Sequence, residues 1–188
     1  MSHFEIVDTP LAGVKKIIRS IIGDHRGSFT RLFCREDLAA AGWRREVAQI
    51  NHSRTGRQGT VRGLHFQLPP HAEMKLVSCI RGEVWDVVVD LRRDSPTFLQ
   101  WHAEHLSPAN AVALLVPEGL AHGFQALCDD AELIYCHSAA YATDAERGCR
   151  FDDPALDIRW PLPPCNLSPR DLAHPLISPH FHGVLTSP

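Results

Sequence analysis

The sequence carries no excess of basic charge. Nineteen lysines and arginines stand against 22 aspartates and glutamates, a net charge of −3 over 188 residues. A nucleic-acid partner requires a cationic footprint, so none is expected. No apolar run approaches the length of a membrane-spanning helix, and no membrane partner is expected. The opening stretch "MSHFEIVDTPLAGVKK" lacks the continuous apolar segment of a secretory signal. The six cysteines, Cys34, Cys79, Cys128, Cys136, Cys149 and Cys165, include no C-x-x-C pair, the usual spacing of a structural zinc site. Cys79 and Cys128 sit in apolar runs and read as small core hydrophobes. A reduced, cytoplasmic protein is the simplest expectation. No internal repeat and no linker divides the chain, so one domain over residues 1–188 is expected.

What is present is strand signal. Hydrophobic residues make up 44% and charged residues 22%, enough for one sizeable core. Strand-like runs cover 14–22, 27–33, 47–53, 60–68, 98–106 and 111–119, each bounded by Gly, Pro or Asp. "KLVSCIRGEVWDVVVDLR" (75–92) reads as two strands joined at Arg81-Gly82, and 122–141 as a hairpin turning at Asp129-Asp130. "REDLAAAGW" (35–43) is the best helix candidate, opened by acidic residues and ended by Gly42. The pattern predicts an all-β jelly roll with a few short helices. Its core should run from about 14 to 160. The segment 161–188, with seven prolines, should form a surface-wrapping tail with a frayed end.

Polar residues interrupt this pattern in "TVRGLHFQLPPHAEMKLV" (60–77). Alternation places Leu64, Phe66 and Leu68 on one face and Gly63, His65 and Gln67 on the other. Such residues belong either to the rim of an edge strand or to a strand lining a cavity. His65 together with "PEGLAH" (117–122) resembles the two-motif layout of the cupin superfamily. The second motif matches P-x-G-x-x-H. The first has Gln67 in place of its second histidine, and Glu73 and Lys75 do not restore a ligand set. Two histidines and an amide are too few for a catalytic metal, and a lysine would oppose the cation. No metal and no cofactor is therefore expected.

Five segments taken in order, "QINHSRTGRQGTVRGLHFQ", "KLVSCIRGEVWDVVVDLRRDSPTF", "LLVPEGLAHGF", "AELIYCHSAAYATDAERGCRFDDPALDIRWP" and "LSPRD", resemble the dTDP-4-dehydrorhamnose 3,5-epimerase family. The resemblance implies a cupin-type double-stranded β-helix and a nucleotide-linked sugar as substrate. A 4-keto sugar has acidified C–H bonds at C3 and C5. Epimerisation needs a base, a group that stabilises the enolate and an acid on the opposite face. By resemblance His65 is the base, since imidazole titrates near neutrality, and Asp171 is its orienting partner. Lys75 is the enolate-stabilising cation, His122 assists it, and Tyr135 is the acid; Asp86 orients His122. The resemblance further implies that Arg62 contacts the diphosphate. Gln49 and Asn51 are polar ligand contacts, Phe29 and Tyr141 lie near the nucleobase, and Arg26 is supplied by the neighbouring subunit of a homodimer.

The sequence departs from the family pattern in two places. "DHRGSFTRLF" has Ser28 in place of an aromatic and Arg31 where an acidic residue contacts the nucleobase, an exchange that alters which base edge is favoured. "YCHSAAY" keeps Tyr135 and Tyr141 but differs at Cys136, His137 and Ala140, which bears on the sugar and on whether C3, C5 or both react. Two other classes compete: a metal-dependent cupin enzyme, such as a dioxygenase or sugar isomerase, and a non-catalytic sugar-nucleotide binding protein.

Overall fold

The computed structural model describes residues 3–186. Its architecture is two facing antiparallel sheets, as the jelly-roll expectation requires. The strands are β1 Phe4–Asp8, β2 Lys15–Arg19, β3 Ile21–Asp24, β4 Gly27–Thr30, β5 Gln49–Thr55, β6 Val61–Gln67 and β7 Lys75–Arg81. They continue with β8 Val84–Asp90, β9 Trp101–Leu106, β10 Val112–Val116, β11 Leu120–Ala126, β12 Ala131–His137 and β13 Glu146–Gly148. The first sheet has the order β1-β2-β10-β7-β12-β5 and the second β13-β6-β11-β8-β9. β3 and β4 pair only with each other.

Central strands such as β10 (VALLV) and β11 (LAHGFQA) are buried along their whole length. Both faces of the sheets are covered, so these segments read as near-continuous apolar runs rather than alternations. One cluster, with Val77, Val88, Leu114, Phe124 and Leu133, fills the space between the sheets. A second lies outside the first sheet, where Leu38 and Trp43 pack on Ile17, Leu76 and Leu115. Truncating Trp43 or Leu38 to alanine would cost about 2–5 kcal/mol. A third lies outside the second sheet, where Leu64, Phe66, Val87 and Val89 meet Leu156, Ile177 and Phe181.

Several expectations are refined. The run 14–22 is broken at Ser20 into β2 and β3. β1 is a strand the sequence pattern did not reveal; it zips antiparallel onto β2, Phe4 opposite Arg19. The helix α1 spans Arg35–Ala39 and is shorter than 35–43. Gly42, with φ +102°, ends the following turn, and Trp43 N–H bonds Leu38 O. The segment 122–141 is not a hairpin: β11 pairs β6 and β8, whereas β12 pairs β5 and β7. The turn through Asp129-Asp130 therefore carries the chain from one sheet to the other. Arg81-Gly82 does the same between β7 and β8.

The tail wraps the second sheet through a bridge from Thr60 to Cys165 and another from Arg92 to Val184. It also forms a helix the sequence pattern did not reveal, α2 Pro169–Ala173, with Ser168 as its N-cap. Residues 187–188, which end the tail expected to fray, lie outside the described residues. No described helix is long and apolar enough to cross a membrane.

Candidate active site

A cavity of about 750 Å³ opens between the two sheets. Nine of the expected site residues line it: Gln49, Asn51, Arg62, His65, Lys75, His122, Tyr135, Tyr141 and Asp171. The strand 61–67 is thus a cavity strand. Its other face, Leu64, Phe66 and Leu68, is packed in the outer cluster.

β6 and β11 bring His65 and His122 directly opposite each other. Between His122 and Phe124 the register slips, so that Gly63 and Leu64 together oppose Gly123. Gly63 makes this possible. It sits at φ +118°, and a Cβ there would lie 2.6 Å from Gly123 Cα and 2.8 Å from His122 O. The Gly63 N–H is thereby turned towards Asp171 Oδ2, at 3.3 Å.

Asp171 enters from α2. Its backbone N–H bonds the Ser168 hydroxyl at 3.1 Å, and its Oδ1 lies 2.8 Å from His65 Nε2. Burial raises the Asp171 pKa, but the hydrogen bond and charge of His65, with Gly63 and Ser168, outweigh it and hold the carboxyl at about 2. It is ionised at neutral pH and fixes Nε2–H of His65 as a donor, leaving Nδ1 as the basic atom. The Arg170 guanidinium stands 3.2 Å from the same Nε2 and is anchored on Glu146 at 3.1 Å. His174 packs edge-on against His65, with ring centres 5.7 Å apart. His65, Asp171 and His174 present donor atoms within 4.8 Å of one another. Arg170 places a fixed cation on that cluster, which opposes a metal ion there.

The facing sheet supplies Lys75 and Tyr135, and β11 and β8, in the same sheet as β6, supply His122 and Asp86. Lys75, at the start of β7, is 7% exposed and pairs with Glu73 at 2.5 Å. Gln67 holds that carboxylate from the far side, Nε2 to Glu73 Oε2 at 3.0 Å; its Nε2 also donates to His71 O and Ala140 O, and its Oε1 accepts from the Ala142 N–H. At the position where a metal-binding cupin would carry a histidine, this amide is consumed by structure. Glu73 is a site residue that the sequence pattern did not assign; its signal was an acid two residues before Lys75.

His122 Nε2 lies 2.8 Å from Asp86 Oδ2, as the resemblance implied. Asp86 is fully buried, and burial pushes its carboxyl pKa up against the pull of His122. Tyr135 on β12 faces His122 edge-on at 6.0 Å and shares a 3.1 Å hydrogen bond with Ser53. Burial lifts its hydroxyl well above the ordinary phenol value, so Tyr135 stays protonated at neutral pH. A base held on one sheet and a protonated phenol on the facing sheet is the arrangement needed to remove a proton from one side of a carbon and return it to the other.

The rim is polar. Arg62 is braced by Thr55 Oγ1 at 3.1 Å and Arg54 O at 3.2 Å. Gln49 bonds Asn51 and the Tyr141 N–H. Arg26, Phe29 and Arg31 are not brought to this cavity. Arg26 and Phe29 lie on the exposed β3–β4 hairpin, with Arg26 paired to Asp24. Arg31 is paired to Asp37 at 3.3 Å.

A family model described as dTDP-4-dehydrorhamnose 3,5-epimerase matches residues 8–178. The dTDP-4-dehydrorhamnose 3,5-epimerase of Shigella flexneri is 40% identical over 168 residues, covering 89% of this chain and 92% of that one. Among solved structures, an epimerase from Legionella pneumophila in complex with dTDP-4-keto-L-rhamnose aligns with a TM-score of 0.91 and 36% identity, covering 99% and 100% of the two chains. A 4-keto-6-deoxy sugar epimerase from the novobiocin cluster of Streptomyces spheroides aligns with a TM-score of 0.88 and 38% identity, over 93% and 88%. With the motifs in order, the match nearly end to end and the facing-sheet geometry in place, the chain belongs to the dTDP-4-dehydrorhamnose 3,5-epimerase family.

Proposed function

We propose that the chain is a cofactor-independent epimerase acting at C3, C5 or both of a dTDP-linked 4-keto-6-deoxy sugar. His65, oriented by Asp171, removes the proton next to the ketone. Lys75 neutralises the enolate oxygen, with His122 as a second donor held by Asp86. Tyr135 returns a proton to the opposite face. The observation that carries this reading is the His65–Asp171 pair at 2.8 Å on one sheet, with the protonated Tyr135 on the facing one.

Arg62 at the rim suits the diphosphate, because a guanidinium fork matches phosphate oxygens. Gln49, Asn51 and Tyr141 contact the ligand near it. The tail belongs to the same functional domain, since it carries Asp171. A cytoplasmic setting suits six cysteines that are all free. The β3–β4 hairpin exposes Ile21 at 48%, Ile22 at 52% and Phe29 at 60%. Apolar side chains so placed favour a covering partner, and a second copy that receives the hairpin would also receive Arg26 and Phe29. Arg31 would then read the base, in place of the acidic residue the family uses. A fully active monomer in sedimentation would remove the cross-subunit role.

Incubation with the dTDP-4-keto sugar in D₂O tests the reaction. Deuterium should enter at C3 or C5, and no incorporation at either would sink the proposal. His65→Ala should abolish the exchange.

A further inference from the structure

The acid of the proposed reaction has a hydrogen-bond partner that the mechanism leaves unused. Ser53 lies on β5, an edge strand of the first sheet, and lines the same cavity as Tyr135. β5 pairs with β12 so that Asn51 stands opposite Tyr135. Ser53, two residues further along, therefore shares that face. Its hydroxyl is 3.1 Å from the Tyr135 hydroxyl and, among the described residues, is the phenol's hydrogen-bond partner. The two histidines beside Tyr135 meet its ring instead, His122 edge-on at 6.0 Å and His137 stacked at 6.1 Å.

Two hydroxyls at this distance can share their hydrogen bond in two ways. With Tyr135 as donor, the phenolic proton points at β5 and is withheld from a ligand. With Ser53 as donor, the phenolic proton is free to point into the cavity, and the oxygen it leaves already accepts a hydrogen bond. Transfer to carbon breaks the phenolic O–H, forms a C–H and leaves a tyrosinate, which recovers its proton from solvent afterwards. Burial opposes that anion, and the Ser53 hydrogen bond is the largest influence in its favour, ahead of the Arg62 charge. A hydrogen bond to an ionised oxygen is stronger than one between neutral groups, so the contribution of Ser53 grows as the proton leaves. Interactions that strengthen towards the transition state are the ones that speed a step.

We propose that Ser53 is a positioning residue for the acid: its hydroxyl donates to the Tyr135 oxygen, aims the phenolic proton into the cavity and holds the charge that develops as that proton goes to carbon. Once formed, the enolate has two fates. Tyr135 protonates it on one face and inverts the carbon, or His65 returns a proton to the face it came from. Ser53 acts on the first fate alone and so biases the partition towards inversion. This inference rests on the epimerase reading above.

The test is that partition, followed by NMR on the dTDP-4-keto-6-deoxy sugar in D₂O as the ratio of inverted product to deuterium incorporated with retained configuration. Ser53→Val should lower the ratio by about tenfold or more. Ser53→Thr, which keeps the hydroxyl within nearly the same shape as valine, should hold the wild-type ratio. Ser53→Ala carries the same expectation as Ser53→Val should the latter fail to fold. Adding Ser53→Val to Tyr135→Phe should change neither rate further, because the hydroxyl that Ser53 serves is already gone. An unchanged ratio in the valine or alanine variant, the same fall in the threonine variant, or a further fall on the Tyr135→Phe background would overturn the assignment. No inversion in the wild type removes the epimerase reading itself and this assignment with it.

Discussion

His65 and Asp171 are separated by 106 residues, yet their side chains meet at 2.8 Å. The histidine comes from the middle of a sheet and the aspartate from a five-residue helix in the tail. The tail is thus part of the site, and its course over the second sheet is what delivers the carboxylate. Ser168 caps the helix, and Gly63 N–H bonds the second carboxylate oxygen, so both ends of Asp171 are fixed before any ligand arrives.

Replacing Asp171 with asparagine keeps the shape and removes the charge that, in the proposed mechanism, steadies the His65 imidazolium. The proton-exchange rate should fall by about 10²–10³-fold. The same change has a signature in acid. Folding depresses the Asp171 pKa from 3.8 to about 2, so the unfolded chain binds this proton more readily. The dyad therefore stabilises the fold above the unfolded value, by of order 2 kcal/mol, and this is lost as pH falls from about 4 towards 2. Urea unfolding across that window should show a flatter pH dependence for Asp171→Asn than for the wild type.

Tyr135→Phe separates the two halves of the reaction. The ring that packs on His122 and His137 remains, and only the hydroxyl is lost. His65 should still remove the proton and return deuterium to the same face. Deuterium should enter with retained configuration, while the epimerised product falls by about 10²-fold or more. Comparing wash-in with product stereochemistry checks this; unimpaired inversion would remove Tyr135 as the acid.

How much of this was legible in the sequence depended on range. Strand β6 and its two faces follow from local alternation, and His65, Lys75, His122, Tyr135 and Asp171 were all recognisable. The sheet assignments were not. Asp129-Asp130 looks like a hairpin turn whether the chain folds back beside itself or crosses to the facing sheet, and only distant pairing distinguishes the two. β1 is stabilised by β2 rather than by its own pattern, and α2 is too short to show a helical period. From the sequence Glu73 is weighed only as a metal ligand, because its pairing with Lys75 and Gln67 depends on burial that the sequence does not display.

Gly63→Ala should damage both stability and chemistry. The added Cβ meets Gly123 Cα and His122 O well inside contact distance, at a backbone angle alanine resists. Relief requires β6 to move away from β11, which carries His65 and His122 apart. A loss of about 1–3 kcal/mol in denaturant unfolding is expected. A fall in exchange rate should persist at temperatures where the variant is fully folded. A variant as stable and as active as the wild type would show that the tight approach of the two strands does not set the dyad.

The buried Lys75–Glu73 pair allows the catalytic role proposed for the lysine to be separated from its structural one. Lys75→Met removes the cation paired with the buried Glu73 carboxylate and leaves it the Gln67 amide. Stranding one charge in this way should cost about 3–5 kcal/mol. Adding Glu73→Gln removes the stranded charge, and the double variant should recover most of that loss in thermal or urea unfolding. It should not recover the chemistry, because the ammonium proposed to meet the developing enolate is gone. Its deuterium exchange should stay about 10²–10³-fold below the wild type. Normal exchange in the stable double variant would show that Lys75 serves the fold alone, and the enolate would then have to be held by His122.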